Sequence, residues 1–320
     1  GRFGLRSSQV PPFNVFVSIA WLQDELQLPG RANMLLTNGE VDEADNALRA
    51  QWRIEDAELR VTTNKLTEAT ELTSSRVFLD KTIVDAVARI APDAVGIVTY
   101  FVNSLKTQDK QTPYSMVSAI GPLTQSSANT STLPELRALV PTGTGDDQIV
   151  CNQWLAEDLG VKPGDTVEVT YTVMNSALQF QESSHQLQVH SIVPMTGAAT
   201  DSTLMPPFPG LSEAKSCRDW EPGIPVDLQQ LDDRDQKYWD QYKGTPKAFV
   251  TLATGQQLWS NRFGTLTAIR TSQQHQQALE QQLPRLIDPK ALNLQFQDLR
   301  GPAIAAGIPA TDFGSLYLGL

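Results

Sequence analysis

An α+β fold is what this sequence predicts, and three observations predict it. Two segments near opposite ends each read as strand, helix, strand; an amphipathic helix leads into two long apolar strands; and a helix closed by glycine feeds a cleanly alternating strand.

The first segment, residues 13–36, is FNVFVSIAWLQDELQLPGRANMLL. Residues 14–18 are β-branched and aromatic, Ile19, Leu22 and Leu26 recur at helical spacing, Pro29 and Gly30 stop the helix, and residues 33–36 return to strand. The second, residues 246–270, has the same shape, and VFVSIAWLQDEL from Val15 lies without a gap on AFVTLATGQQLW from Ala248. Phe16 falls on Phe249, Val17 on Val250, Ser18 on Thr251 and Leu26 on Trp259, which predicts an internal duplication.

Between them, residues 42–53 form a charged helical stretch, and AELRVTT and SSRVFL read as strands. DKTIVDAVARIAP predicts a helix in which Asp80 caps, Ile83, Val84, Val87 and Ile90 form the apolar stripe, and Pro92 lies just past the end. AVGIVTYFVNSL and PYSMVSAIG follow as a strand pair, and the polar run QSSANTST at 125–132 separates subdomains. In residues 148–173 a strand enters a short helix carrying Trp154, Leu155 and Leu159, Gly160 closes it, and the KPGD turn feeds TVEVTYTV, with HQLQVHSIVPM as its partner.

The Pro-rich stretch 204–228 places Leu204, Met205, Phe208, Leu211 and Trp220 in a loop that either wraps over a core or offers apolar surface; Leu204, Met205, Phe208 and Trp220 are the candidate contacts for a partner or cargo. DDRDQKYWDQYKG then forms a short helix, its acidic run reading as a solvated face and its aromatics as packing groups or a sugar platform.

Composition narrows the function. With 40% hydrophobic and 19% charged residues the chain folds, and a net charge of −11 without a basic stripe argues against nucleic acid. Cys151 and Cys217 can form one bridge at most. His185 and His190 are five apart, so on a strand they face opposite ways, and His275 stands alone; no metal site and no cofactor are expected. Nucleophile elbow, P-loop, H-E-x-x-H and G-x-G-x-x-G patterns are missing. Carboxylates Asp219, Glu221, Asp232, Asp233 and Asp235 beside aromatics keep open a secreted carbohydrate-active enzyme or a carbohydrate-binding module built on residues 219–242.

The final ten residues, TDFGSLYLGL, look like the watery entry to a transmembrane helix, with Tyr317 suited to the interface, and both ends look like cuts through a longer protein.

AFVTLATGQQLW with LTAIR, preceded by IVCNQWLAEDLGVKPGDTVEVTY, resembles the extracytoplasmic region of FtsX-like ABC-transporter permeases of the MacB and LolE kind. The resemblance implies a porter subdomain of two βαβ-like halves bracketing an inserted β-rich, sabre-like lobe. It places an upstream copy's last βαβ unit at 1–40, the first porter-like half at 41–120, the lobe at 121–245, the second half at 246–310, and the lead into a missing transmembrane helix at 311–320. It implies no catalysis and no ATP site in this chain. The partners would be the polypeptide's own transmembrane helices, a cytoplasmic ATP-binding subunit, and a second permease through the membrane part. The location would be the periplasmic face of a bacterial inner membrane. The Pro-rich loop departs from the family pattern, so cargo does not carry over.

Overall fold

A computed structural model describes residues 13–124, 133–174, 179–221, 223 and 225–307. The polar run at 125–132 and the apolar run at 311–320 lie outside the described residues. The chain divides into two compact units, Arg53–Leu292 on one hand and Gly1–Trp52 with Asn293–Leu320 on the other.

In the smaller unit, helix α1 (Ile19–Glu25) is capped by Ser18, whose hydroxyl accepts from the Trp21 N–H, and helix α2 (Val41–Gln51) follows. The strands expected at 14–18 and 33–36 do not form, and α1 buries none of its residues. On α2, buried Asp45 accepts a hydrogen bond from the Phe296 N–H at 2.7 Å.

The larger unit opens with strands β1 (Leu59–Thr63) and β2 (Thr70–Ser74), then helix α3 (Lys81–Ile90). Asp80 sits at the helix start, but its carboxylate turns to Arg76 instead of making a cap hydrogen bond. The strand expected over residues 74–79 is displaced, with β2 ending at Ser74 and Leu79 making only an isolated bridge to Leu266. Next come β3 (Val95–Lys106), β4 (Gln111–Pro122), helix α4 (Pro134–Leu139), β5 (Gln148–Asn152) and helix α5 (Gln153–Leu159). Gly160, at φ +70, closes α5 in the left-handed conformation a Cβ would resist. Strands β6 (Thr166–Met174) and β7 (Phe180–Val193) form the expected antiparallel pair. After the Pro-rich stretch stand helix α6 (Asp233–Tyr242), β8 (Ala248–Thr251), helix α7 (Leu252–Trp259), β9 (Ala268–Thr271) and helix α8 (Gln276–Leu286). Helix α9 (Arg300–Gly307) belongs to the smaller unit.

The sheet runs β1-β2-β9-β3-β4-β8-β5-β7-β6, and β6 pairs back onto β3. Strands β3, β4, β8, β5, β7 and β6 thereby close a six-stranded mixed barrel, while β9, β2 and β1 extend from β3 as a three-stranded wing. Two pairings in the barrel, β4 with β8 and β5 with β7, are parallel.

This architecture corrects the expected α+β arrangement of two porter-like βαβ units around an inserted β-rich lobe. Strands from all three expected regions share one barrel: β3 and β4 from 41–120, β5 to β7 from 121–245, and β8 from 246–310. The reason lies in β8, where Ala248, Phe249 and Val250 are fully buried. A strand with no solvent face needs partners on both edges, and it finds them in β4 and β5. Apolar periodicity marks such a strand but says nothing about its neighbours.

Helix α7 lies unusually close to the wall. Gly96 and Gly121 face each other across β3 and β4; a Cβ on Gly121 would strike Leu252 at the start of the helix, and one on Gly96 would strike Leu123 and crowd Leu252. One turn later Gly255 lies against Ala119, again with no room for a Cβ. Trp259 at the far end stacks on Tyr100 at 5.4 Å and meets Tyr171 edge-on.

Two further apolar clusters complete the core. Val95, Ile97, Ile120, Val150 and Phe249 pack with Leu136 and Leu139 of α4 and with Leu204. Phe101, Tyr114 and Met116 are covered by Leu211, Cys217, Trp220, Leu231 and Trp239, with Met205 and Phe208 packed against them. The Pro-rich loop therefore wraps the barrel. Among the described residues no helix is long and apolar enough to cross a membrane.

Candidate functional site

The barrel seam between β3 and β6 carries an irregularity. Val102 pairs with Tyr171 and Ser104 with Thr170, so Asn103 is an extra residue on the β3 side. Bulges of this kind re-aim side chains at barrel rims. Asn103 uses the freedom to donate to Thr172 Oγ1 at 2.9 Å and to Glu182 Oε2 at 2.8 Å, tying β3 to the β6–β7 hairpin. Across β3 from the bulge, Tyr114 of β4 adopts φ +33, a conformation that L-residues rarely hold without support from their surroundings. That support is visible: its ring stacks on Phe101 at 5.7 Å, and its hydroxyl accepts the Asp227 N–H at 2.6 Å.

Bulge and strained tyrosine border an open cleft of about 580 Å³ between β3, β4, the β6–β7 hairpin and the end of the Pro-rich loop. Its lining is mostly amide and hydroxyl: Asn103, Gln111 and Gln230, with Ser104, Tyr114 and Thr170. Gln111 donates to Gln230 across it at 3.4 Å. Its charged groups are engaged. Lys106 pairs with Glu168 at 3.0 Å, Glu182 receives Asn103, and Asp227 accepts from the Gln229 N–H and from Gln230. Thr170 is buried, and its Oγ1 has no hydrogen-bond partner among the described residues, a deficit that costs stability unless something meets it. The arrangement suits the holding of a polar group by hydrogen bonds.

Two buried ionic clusters frame the barrel. Lys247, just before β8, is enclosed by Asp235 at 3.2 Å, the Trp154 ring at 4.3 Å and the Tyr238 ring at 4.9 Å. Burial lowers its pKa, with the Asp235 carboxylate opposing the shift. Arg270 of β9 is wholly buried and forks between two carboxylates, Nε to Glu71 at 2.5 Å and Nη1 to Asp201 at 2.7 Å, while Nη2 reaches Thr203 Oγ1 at 2.8 Å.

The residues singled out from sequence fall elsewhere than the cleft. Leu204 and Trp220 are buried, in different apolar clusters, and Met205 and Phe208 are partly covered. The acidic run that reads as a solvated face is exposed at Asp232, Asp233 and Arg234 and buried at Asp235. Asp232 caps α6 by accepting from the Arg234 and Asp235 N–H groups, Asp233 binds Arg218, and Asp235 is buried against Lys247. Trp220 and Trp239 meet edge to face inside the core, so these two rings offer no open platform, while Tyr242 is half-buried. Cys151 and Cys217 are both buried and both free. Burial pushes the Cys151 thiol up to about 12; Cys217 is also raised, chiefly by burial, and its thiol donates to Gln236 at 3.1 Å. His190 sits at a bulge on β7 and meets Gln148 at 3.0 Å, while His275 meets Asp93 at 3.2 Å. No group of three potential metal ligands occurs among the described residues.

Asn103, Thr170, Lys247 and Arg270 escape a sequence reading. A signal exists for the last two: each is a lone cation inside an otherwise apolar strand segment, PKAFV and LTAIR, where burial demands a carboxylate partner. No protein-family model matches the chain, and no curated protein matches it.

Proposed function

We propose that this chain is a non-catalytic extracytoplasmic part of an ABC-transporter permease of the FtsX-like kind, which passes movement driven by cytoplasmic ATP hydrolysis to a partner or cargo outside the membrane. The observation that carries the reading is the resemblance of residues 149–171, 248–259 and 266–270 to that family. Those residues form β5, α5, β6, β8, α7 and β9, so the segments that bear the likeness are also the ones that close the barrel and join its wing.

The barrel suits a mechanical part. A closed sheet has no free edge to slip, and buried ion pairs at Lys247 and Arg270 fix β8 and β9 against α6 and β2. Of the five carboxylates that a hydrolase could use near the aromatics, Asp232 caps α6 and Asp235 is buried against Lys247, while Asp219, Glu221 and Asp233 are exposed. The cleft, lined by Asn103, Gln111 and Gln230, offers amide groups to a partner. In this reading, membrane spans lie outside the described residues, and the working partner is a cytoplasmic ATP-binding subunit.

The test is to isolate the complete polypeptide from its native membranes in mild detergent and identify what accompanies it. Recovery with an ATP-binding subunit, whose ATP turnover falls when Arg270→Met breaks the ion pairs that hold β9 to Glu71 of β2 and to Asp201, is the expected result. Recovery from the soluble fraction without such a subunit overturns the proposal.

A further inference from the structure

We infer that residues 13–51 are the closing segment of a second barrel of the same construction, carried by the same polypeptide, and that their exposed apolar face docks there. The inference stands apart from the permease reading, because it rests on a repeat inside the chain.

The repeat extends beyond aligned letters. Ser18 and Thr251 occupy matching positions, and each caps the following helix by accepting the N–H three residues on, Trp21 in one case and Thr254 in the other, at 3.2 Å in both. The first helices begin at residues 19 and 252, and the second helices, α2 and α8, begin at 41 and 276 and are 11 residues long in each case. The order of the helices, the cap of the first and the length of the second recur.

The surroundings do not. In the later copy, Phe249 is fully buried and Ile269 is 1% exposed, within strands that pair on both edges. In the earlier copy, Phe16 is 72% exposed, Leu35 71% and Leu36 64%, and residues 14–18 and 33–36 form no strand. A contiguous apolar sequence of this kind does not stay in water when a partner is at hand. What covers it can be read from its twin: a β4-like strand running parallel on one edge and a β5-like strand antiparallel on the other.

A second copy of this chain cannot be that partner. Its slot between β4 and β5 is already filled by β8, and the alignment puts Leu22 where Gly255 stands, against Ala119, with no space even for a Cβ. The receiving barrel therefore has its own β4- and β5-like strands and more room at that point.

The test is hydrogen–deuterium exchange, read by mass spectrometry, on the complete polypeptide as its cell makes it. Amides of 15–18 and 33–36 are expected to exchange at least about 100-fold more slowly than unstructured chain, as sheet amides do. Less protection than that, or protection that appears only as protein concentration is raised, overturns the inference. Val17→Asp in the same polypeptide is expected to strip protection from a strand pair outside residues 13–51 while Arg53–Leu292 keeps its own. If its effect is confined to residues 13–26, the segment closes no barrel and the inference fails.

Discussion

Lys247 Nζ lies 3.2 Å from Asp235 Oδ1, and the two side chains retain only 5% and 8% of their exposure. The pair joins the first residue before β8 to the first turn of α6, and so holds one strand of the barrel to the helix that precedes it in the chain. Removing one partner leaves a buried charge unanswered, so Lys247→Met is expected to destabilise the larger unit by about 3–5 kcal/mol. The double variant Lys247→Met with Asp235→Leu is expected to recover most of that loss. Urea titration of both variants checks the expectation, and equal stability of the single and double variants would refute it.

Thr170 predicts the opposite sign. Its buried hydroxyl lacks a partner among the described residues, so Thr170→Val, which keeps the shape and removes the hydroxyl, is expected to raise stability by about 1–2 kcal/mol. Thermal unfolding followed by circular dichroism reads the change. A drop in the melting temperature would mean that the hydroxyl is satisfied.

Alkaline pH should weaken the fold. Cys151 is pushed from its ordinary value near 9 to about 12, and Tyr100 from 10 to about 12, both first by burial. A raised pKa means that the unfolded chain releases its proton first. The stability these groups lend is thus complete below about pH 9 and drains away as pH climbs towards 12, at up to about 1.4 kcal/mol per pH unit for each group. Urea midpoints taken between pH 8 and 11 should fall, and Cys151→Ala should make the decline shallower above pH 9. The same burial predicts that iodoacetamide leaves Cys151 unmodified in the native protein at pH 8.

Gly255→Ala should be costly despite the better helix propensity of alanine. The added Cβ meets the Ala119 side chain, and α7 cannot back away while Leu252 is seated between Gly96 and Gly121. A loss of about 1–3 kcal/mol is expected. Gly143→Ala, with nothing close by but a positive φ, supplies the contrast in which cost comes from backbone alone. If Gly255→Ala proves neutral, the close seating of α7 is wrong.

What sequence revealed and what it hid divide along a physical line. Helix α3, the β3–β4 pair and the β5–α5–β6 run are legible because caps, stops and periodicity are local properties of residues 80–122 and 148–174. Barrel closure is not, because the seam joins Val102 to Tyr171 and β8 pairs with Val117–Ile120, contacts whose partners are far apart in the chain and identical in pattern to any other buried strand. The cleft is hidden for the same reason: Asn103, Thr170 and Asp227 share it only once the seam forms and the Pro-rich loop has wrapped round. The acidic helix start misleads because a charge run looks alike whether it faces water or, as at Asp235, a buried lysine.

The place of β8 in the wall also sets an order of events in time. Its neighbours β4 and β5 emerge from the ribosome well before it, with β6, β7 and the whole Pro-rich loop made in between. Until residues 248–251 arrive, those two strands stand apart with open edges, on the order of seconds at cellular rates of synthesis. A nascent chain halted within the Pro-rich loop is a sheet with a missing stave, and the cell must shield it from pairing with the wrong strand until the last stave drops in.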